Sequence, residues 1–439
     1  MNPRRLLAVL VLCLLPGMPA LALNVEPVKS PGGVEAWLVQ DHSNPIISLS
    51  FAWRGGAALD PAGKTGLAYL VGGLLDEGAG DLDSQAFHGK LEDLAISLGF
   101  DAGMDTLHGQ VKTLTANRDV AFDLLRLSLT QPRFDAEAVE RVRSQVLAEL
   151  SRQLQDPNAI AQRAFAKMMY PDHPYGRQVD GDPETIKSIT VDDLKAWTAA
   201  HLGRDQLHIA VVGDITPDQL RPLLDQVFGS LPATAAPVTT PEVQADAKGQ
   251  VEVIRRQIPQ SVVVFGEQGL KRADPDWYAA YVMNYVLGGG GFASRLMTEI
   301  RVKRGLAYGA YSYLMPRDHG ALAAGGVATR NDRVAESLQL VRQEWGRMAD
   351  GGVTADELAN AKTFLNGSFP LQMDGTGSIA ALLVTIQLDN LGIDFVDRRP
   401  QLINAVTAAD VKRVAKRLLD PAHLATVVVG DPQGMQAGQ

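Results

Sequence analysis

Cysteine is almost missing from this 439-residue chain: there is one, Cys13. That residue lies inside the apolar stretch that opens the sequence, so a processed chain would have none. Disulfides, thiolate-held metals and a cysteine nucleophile are thereby excluded. A surplus of positive charge is also lacking. Lys and Arg number 41 against 50 Asp and Glu, a net charge of −9. Nucleic acid is not the expected partner, because phosphate binding needs a basic surface. Long apolar runs are scarce as well: beyond the N-terminus no stretch approaches the length of a membrane-spanning helix.

What the N-terminus does have is MNPRRLLAVLVLCLLPGMPALALN. Arg4 and Arg5 precede a compact apolar run, Leu6 to Leu15, which Pro16 and Gly17 end. Ala20-Leu21-Ala22 supplies the small-x-small pattern of a processing site. Residues 1–22 therefore read as a cleavable secretory signal, too short for a membrane span. A periplasmic location is expected.

The rest of the chain repeats itself. SITVDDLKAWTAAHLGRDQLHIAVVGD near the end of the first half resembles AVTAADVKRVAKRLLDPAHLATVVVGD near the end of the second. Thr190 and Thr407 are 217 positions apart, as are Gly213 and Gly430. ISLSFAW from Ile47 parallels SVVVFGE from Ser261, and TANRD at Thr115 parallels TRNDR at Thr329. Each half reads strand, helix, strands, long helices, final strand. Thr190 and Thr407, each followed by acidic residues, are expected helix N-caps. Strands and helices mix without regular alternation. The expected fold class is α+β, two homologous domains, each a mostly antiparallel sheet packed with helices. The boundaries are residues 23–232 for the first domain and 251–439 for the second. Residues 233–250 form an extended linker rich in Pro, Ala and Thr.

Two segments carry a family resemblance. KTGLAYLVGGLLDEGAG, from Lys64, resembles the start of the zinc helix of the pitrilysin-like M16 metallopeptidases. There Gly-Leu-Ala precedes His-x-x-Glu-His. Gly66-Leu67-Ala68 is present here, but the next five residues are Tyr69, Leu70, Val71, Gly72 and Gly73. In an intact box the two imidazoles, four apart, share one helix face and one metal. The glutamate between them is the base toward metal-bound water. Here a phenol and two glycines stand instead. Glu149, 76 positions after Gly73, falls where the resemblance implies a third, glutamate ligand, and a second acidic position of that helix is Val142. One carboxylate cannot hold a catalytic ion, so no metal is expected on this chain. The eight histidines offer no pair at ligand spacing. His88 and Glu92 share an expected helix but make no complete site, and His173 in HPYGR reads as a structural loop residue.

The second segment, NYVLGGGGFASRLMTEIRVKRGLAYGAYSYL from Asn284, resembles the C-terminal M16 segment. Its Gly-rich turn follows a helical stretch rather than a strand, which rules out a phosphate loop. Ser294-Arg295-Leu296, Arg301 and Gly305-Leu306-Ala307-Tyr308 fill the matching positions. The resemblance implies that Arg301 and Tyr308, seven apart, are the catalytic and substrate-binding pair that reaches toward the zinc site of a facing domain. A guanidinium and a phenol are donors suited to the oxyanion of peptide hydrolysis. The structural alternative is an Arg301 pairing with Glu299 and a Tyr308 in the core.

Together these readings imply an M16/LuxS-like metallohydrolase fold. They imply a non-catalytic subunit of a heterodimeric periplasmic zinc endopeptidase. Zinc is expected on an M16 paralogue as partner, and the substrate is a peptide or unfolded protein held as an added strand. The stretch Gly99 to Thr115 is a candidate for the edge that receives it. The alternative is a peptide-binding or scaffold protein of the same fold with no proteolytic partner.

Overall fold

The computed structural model describes residues 23–435. The expected signal segment, residues 1–22, and Cys13 within it lie outside the described residues.

Two sheets organise the chain. The first comprises β1 (Glu26–Lys29), β2 (Glu35–Gln40), β3 (Ile46–Arg54), β4 (Ser97–Ala102), β5 (Thr106–Leu114) and β6 (Leu207–Gly213), in the spatial order β1-β2-β6-β3-β5-β4. The second comprises β7 (Val251–Arg255), β8 (Gln260–Gln268), β9 (Ala307–Pro316), β10 (Ala321–Arg330) and β11 (Ala425–Gly430), in the order β7-β11-β8-β10-β9. Apart from the extra β1, the two orders correspond strand for strand. In each sheet one pair is parallel, β2 with β6 and β7 with β11, and the remaining pairs are antiparallel. The internal repeat is thus a repeat of topology, in an α+β fold of two homologous units.

The repeated sequence signals act locally as their chemistry dictates. Thr190 Oγ1 accepts from Asp193 N at 3.2 Å, and the Asp193 carboxylate accepts from Thr190 N at 2.8 Å. Thr407 and Asp410 build the same reciprocal cap at 3.1 and 3.0 Å. Each box satisfies two backbone donors that the helix start would leave unpaired. The β-branched runs of β6 and β11 lie in the interiors of their sheets and are almost wholly buried.

The halves do not pack as two separate bodies. Helix Pro157–Met169 of the first half lies on β8 and β11 of the second. Its Phe165 ring meets the backbone of Gly266, where a Cβ would stand 2.9 Å from Phe165 Cζ. Helix Thr376–Leu388 of the second half lies in turn on β3 and β6 of the first. It buries Ala380, Leu383 and Val384 against Val39, Ala52, Ala210 and Val212. Each sheet therefore has one face closed by a helix from the other half.

Residues 233–250 carry no helix or strand, yet they are fastened down. Val243 N donates to His319 O at 2.8 Å, Asp246 N to Met169 O at 2.8 Å, and Ala245 N to Gln268 Oε1 at 2.6 Å. Val243, Ala245 and Ala247 pack on the main core. The segment is a strap laid over both halves rather than a free tether. Among the described residues no helix is long and apolar enough to cross a membrane.

Candidate functional site

The degenerate box sits on the short helix Leu67–Gly72, with Gly73 as its C-cap. Asp60 fixes this helix. Its carboxylate accepts from Gly66 N at 2.9 Å and Ala68 N at 3.0 Å, while Gly66 takes a left-handed φ of 91°. Asp60 is 3% exposed. Burial raises its pKa to about 7, against the lowering effect of those backbone donors. Sequence reading missed Asp60. The carboxylate lies six positions before the N-cap Gly66, beyond the span of an ordinary capping motif.

Tyr69 and Gly73 are one turn apart, Gly73 N donating to Tyr69 O at 3.0 Å. They line one wall of a cleft of about 350 Å³. The opposite wall is helix Ala136–Gln153, which presents Val142, Val146 and Glu149 at the spacing of one helix face. The third side is edge strand β4, with Phe100, Asp101 and Ala102. The fold therefore gathers Tyr69, Gly73, Val142 and Glu149 around one space. Gly72 is buried beside β4, where a Cβ would meet Ala102 N at 3.4 Å.

The groups present do not fit a zinc ion. The Tyr69 phenol is held neutral, its pKa raised by burial and by the nearby carboxylates of Asp180, Asp101 and Glu149. Gly72 and Gly73 present no side chain. The Glu149 carboxylate is taken by the Arg152 guanidinium, which lowers its pKa and turns it along its own helix. Among the described residues no group of three or more His, Asp, Glu or Cys side chains is placed to share a metal.

The other candidates resolve into structure. His88 faces Glu77 at 3.3 Å, and Glu77 is itself held by Arg141 at 2.5 Å. His173 is buried, accepting from Tyr175 N at 3.1 Å through Nδ1 and meeting Pro241 O at 2.9 Å through Nε2. It thereby pins the strap to its loop.

The second-half segment lies at the far edge of the other sheet. Ser294 Oγ donates to Gly291 O at 2.8 Å, and Leu296 is fully buried. Arg295 forks onto Glu357 at 2.7 and 2.6 Å and onto Gly352 O at 2.8 Å. These residues anchor the Gly-rich turn. Arg301 and Tyr308 do not serve the core. The Glu299 carboxylate is taken by Lys303 and Arg304, each at 2.6 Å, so Arg301 has no ion pair there. Tyr308 is 81% exposed on edge strand β9. Arg301 Nη1 donates to Tyr308 O at 2.6 Å, which ties the two residues together. The guanidinium also lies over two rings, 4.6 Å from the centroid of Phe292 and 5.8 Å from that of Tyr308. Phe292 is itself 65% exposed. An aromatic so far in water, stacked on a cation, is a built feature rather than core packing. Sequence reading missed Phe292, whose only signal was an apolar residue inside the Gly-rich turn.

β4 and β9 occupy the same position in the two sheets, each the edge strand three antiparallel pairings beyond the parallel pair. The cleft of the first half and the Arg301–Tyr308 surface of the second are thus the same place in two copies of one unit.

Comparison with known proteins agrees with this geometry. The family model described as Insulinase (Peptidase family M16) matches residues 36–182, and the Peptidase M16 inactive domain matches residues 188–365. The non-peptidase homolog YmxG of Helicobacter pylori is 30% identical over 412 residues, covering 94% of each chain. The uncharacterized zinc protease SCO5738 of Streptomyces coelicolor is 30% identical over 349 residues, 74% of each. Among solved structures, a peptidase M16 inactive domain from Pseudomonas fluorescens superposes with a TM-score of 0.87 at 28% identity, covering 94% of this chain and all of that one. A protease from Helicobacter pylori shares the fold, with a TM-score of 0.83 at 20% identity over 92% of this chain and 99% of its own. With its repeat, its cleft and its degenerate box in these positions, the chain belongs to the M16 peptidase family, as a member without the zinc-binding residues.

Proposed function

We propose that this chain is the non-catalytic subunit of a paired periplasmic M16 endopeptidase. In this reading a zinc-bearing paralogue supplies the metal and the base, and this chain lends Arg301 and Tyr308 to the peptide at that site. The observation that carries the reading is the state of the pair. Tyr308 stands 81% exposed, and the guanidinium beside it is propped on Phe292 with no carboxylate paired to it among the described residues. Preorganised donors of this kind stabilise the charge that develops on a peptide carbonyl oxygen. The start of the sequence, with its basic, apolar and small-residue segments, supports the periplasmic assignment.

The test is reconstitution. The purified chain should hold no stoichiometric zinc and cleave no peptide. Mixed with an M16 chain bearing His-x-x-Glu-His from the same cell, it should restore cleavage. Arg301→Ala or Tyr308→Phe should then lower kcat by about 10²-fold, the usual loss for one oxyanion donor. A second reading, a peptide-binding protein with no proteolytic partner, draws support from the Helicobacter relative's name as a non-peptidase homolog. A neighbouring gene for an intact M16 chain favours the first reading, and none favours the second.

A further inference from the structure

Where the strap crosses from one half to the other, a cavity of about 480 Å³ opens between them, the volume of a small-molecule site. The first half gives it Arg54, at the end of β3, and Asp105, in the β4–β5 turn. The second gives Arg272, just after β8, then Arg317 and Asp318 in the β9–β10 turn, and Asp389, the C-cap of helix Thr376–Leu388. Ala58, Val238 and Leu388 add an apolar stretch of wall. The cavity shares no lining residue with the cleft at Tyr69, and neither Arg301 nor Tyr308 reaches it.

The charges around it balance but are not all matched. Arg54 pairs with Asp318 at 2.8 Å, Lys271 and His319 share Glu242, and Asp105 accepts from the Tyr175 hydroxyl at 2.7 Å. Three charged groups are left short. Arg317 forms no ion pair among the described residues: its guanidinium lies over the Tyr175 ring at 5.3 Å and otherwise meets only the Met315 sulfur at 3.6 Å. Arg272 is held over Trp277 at 4.8 Å and Tyr278 at 5.3 Å, with a single long hydrogen bond to Tyr278 Oη at 3.3 Å. The Asp389 carboxylate accepts no hydrogen bond among the described residues, and its ion-pair partner, Arg272, stands off at 3.5 Å. Burial keeps that carboxyl above its ordinary range against the pull of Arg272. Thr240, 9% exposed, lines the same cavity, and its hydroxyl has no partner among the described residues. Guanidiniums with little to donate to and a carboxylate with nothing to accept from suit a ligand that carries both charges. A bare anion or cation would leave one of them unmatched.

We infer that this cavity is a binding site for a free α-amino acid with an apolar side chain. The ligand's carboxylate meets the guanidiniums of Arg317 and Arg272, its ammonium meets Asp389, and its side chain lies along Ala58, Val238 and Leu388. Arg272 and Asp389 stand side by side without closing a hydrogen bond, and an amino acid carries its own two charges side by side on one carbon. The C-terminal end of helix Thr376–Leu388, where Asp389 sits, adds a negative pole that favours the ammonium. The two arginines are already stacked on rings, so little freedom is lost when they grip a carboxylate. A ligand here touches both halves and the strap and stabilises all three together. The site goes beyond the lending of Arg301 and Tyr308 and stands whether or not the chain has a zinc-bearing partner.

The test uses the full mature chain and leucine, read by isothermal titration calorimetry at constant ionic strength. Saturable binding is expected, with a melting temperature that rises as leucine is added. Leucinamide, which lacks the carboxylate, and isocaproate, which lacks the ammonium, should each bind at least about tenfold more weakly. Arg317→Gln should weaken leucine about tenfold and leave leucinamide as it was. Asp389→Asn should weaken leucine and leave isocaproate as it was. A misfolded variant cannot produce that crossed pattern, because it would lose every compound alike. Three outcomes overturn the assignment: no saturable binding up to about 10 mM leucine, equal binding of the three compounds, or folded Arg317→Gln and Asp389→Asn chains that both bind leucine as well as the parent.

Discussion

Rebuilding the box is the sharpest check on what its helix has lost. The triple change Tyr69→His, Gly72→Glu, Gly73→His places imidazoles one helical turn apart, opposite Glu149. The backbone accepts this. Gly73 has φ −72° and ψ 0°, within the range of any residue. Added Cβ atoms at 72 and 73 come no nearer than 3.4 and 3.5 Å to other groups. Removing Gly72 from the helix itself gains about 0.5–1 kcal/mol. Glu149 must turn from Arg152, an exposed partner at the end of the same helix that it can readily leave. Three ligands of the right type should then bind zinc, and a free ion at 100 times its Kd stabilises the fold by about 2.7 kcal/mol. The assays are metal content after dialysis and urea unfolding with and without zinc. The parent should hold none and show no zinc-dependent shift. The triple variant should approach one zinc per chain, and adding Glu149→Gln should cut its affinity. A folded triple variant that stays metal-free would refute the claim that side chains alone were lost.

Other outcomes follow from the packing and the buried charges. Phe165→Ala should cost about 3–5 kcal/mol, because its ring fills the joint between the first half's helix and the second half's sheet. Unfolding of that variant, followed by fluorescence and circular dichroism, should remain one transition. Residues 23–250 made alone should fail to give a dispersed NMR spectrum and should bind a hydrophobic dye, since Val39, Ala52, Ala210 and Val212 lose their cover. Asp60 has a folded pKa of about 7, above its ordinary 3.8. Its contribution to stability is therefore full below pH 3.8 and is lost as pH rises through 7. Between those values the loss approaches at most about 1.4 kcal/mol per pH unit. Asp60→Asn should flatten that part of the stability profile in urea titrations between pH 5 and 8.

Much of this molecule was legible because its information is local or repeated. The two Thr-x-x-Asp caps, the β-branched final strands and the 217-residue offset each rest on chemistry confined to a few neighbours. The missing ligands at Tyr69, Gly72 and Gly73 were legible for the same reason: a four-residue spacing on one helix either carries donors or does not. What escaped was long-range. Nothing in PNAIAQRAFAKMM says that Phe165 will seat itself on a strand more than a hundred residues later. An amphipathic helix specifies a face but not whose sheet it covers. The same holds for the strap, whose Pro, Ala and Thr content reads as loose until Val243 and Asp246 are seen bonded to both halves. Phe292 was invisible because its exposure is a property of the surface, not of the string.

The exchange of helices between the halves has a mechanical consequence. A protein that must admit a long flexible guest needs somewhere to give way, and the obvious crease, midway along this polypeptide, is bolted from both sides. Helix Thr376–Leu388 and helix Pro157–Met169 would have to peel off their sheets together before the halves could swing apart. In the proposed pairing, the opening for a guest would then lie at the seam between the two chains, with this one moving as a single plate.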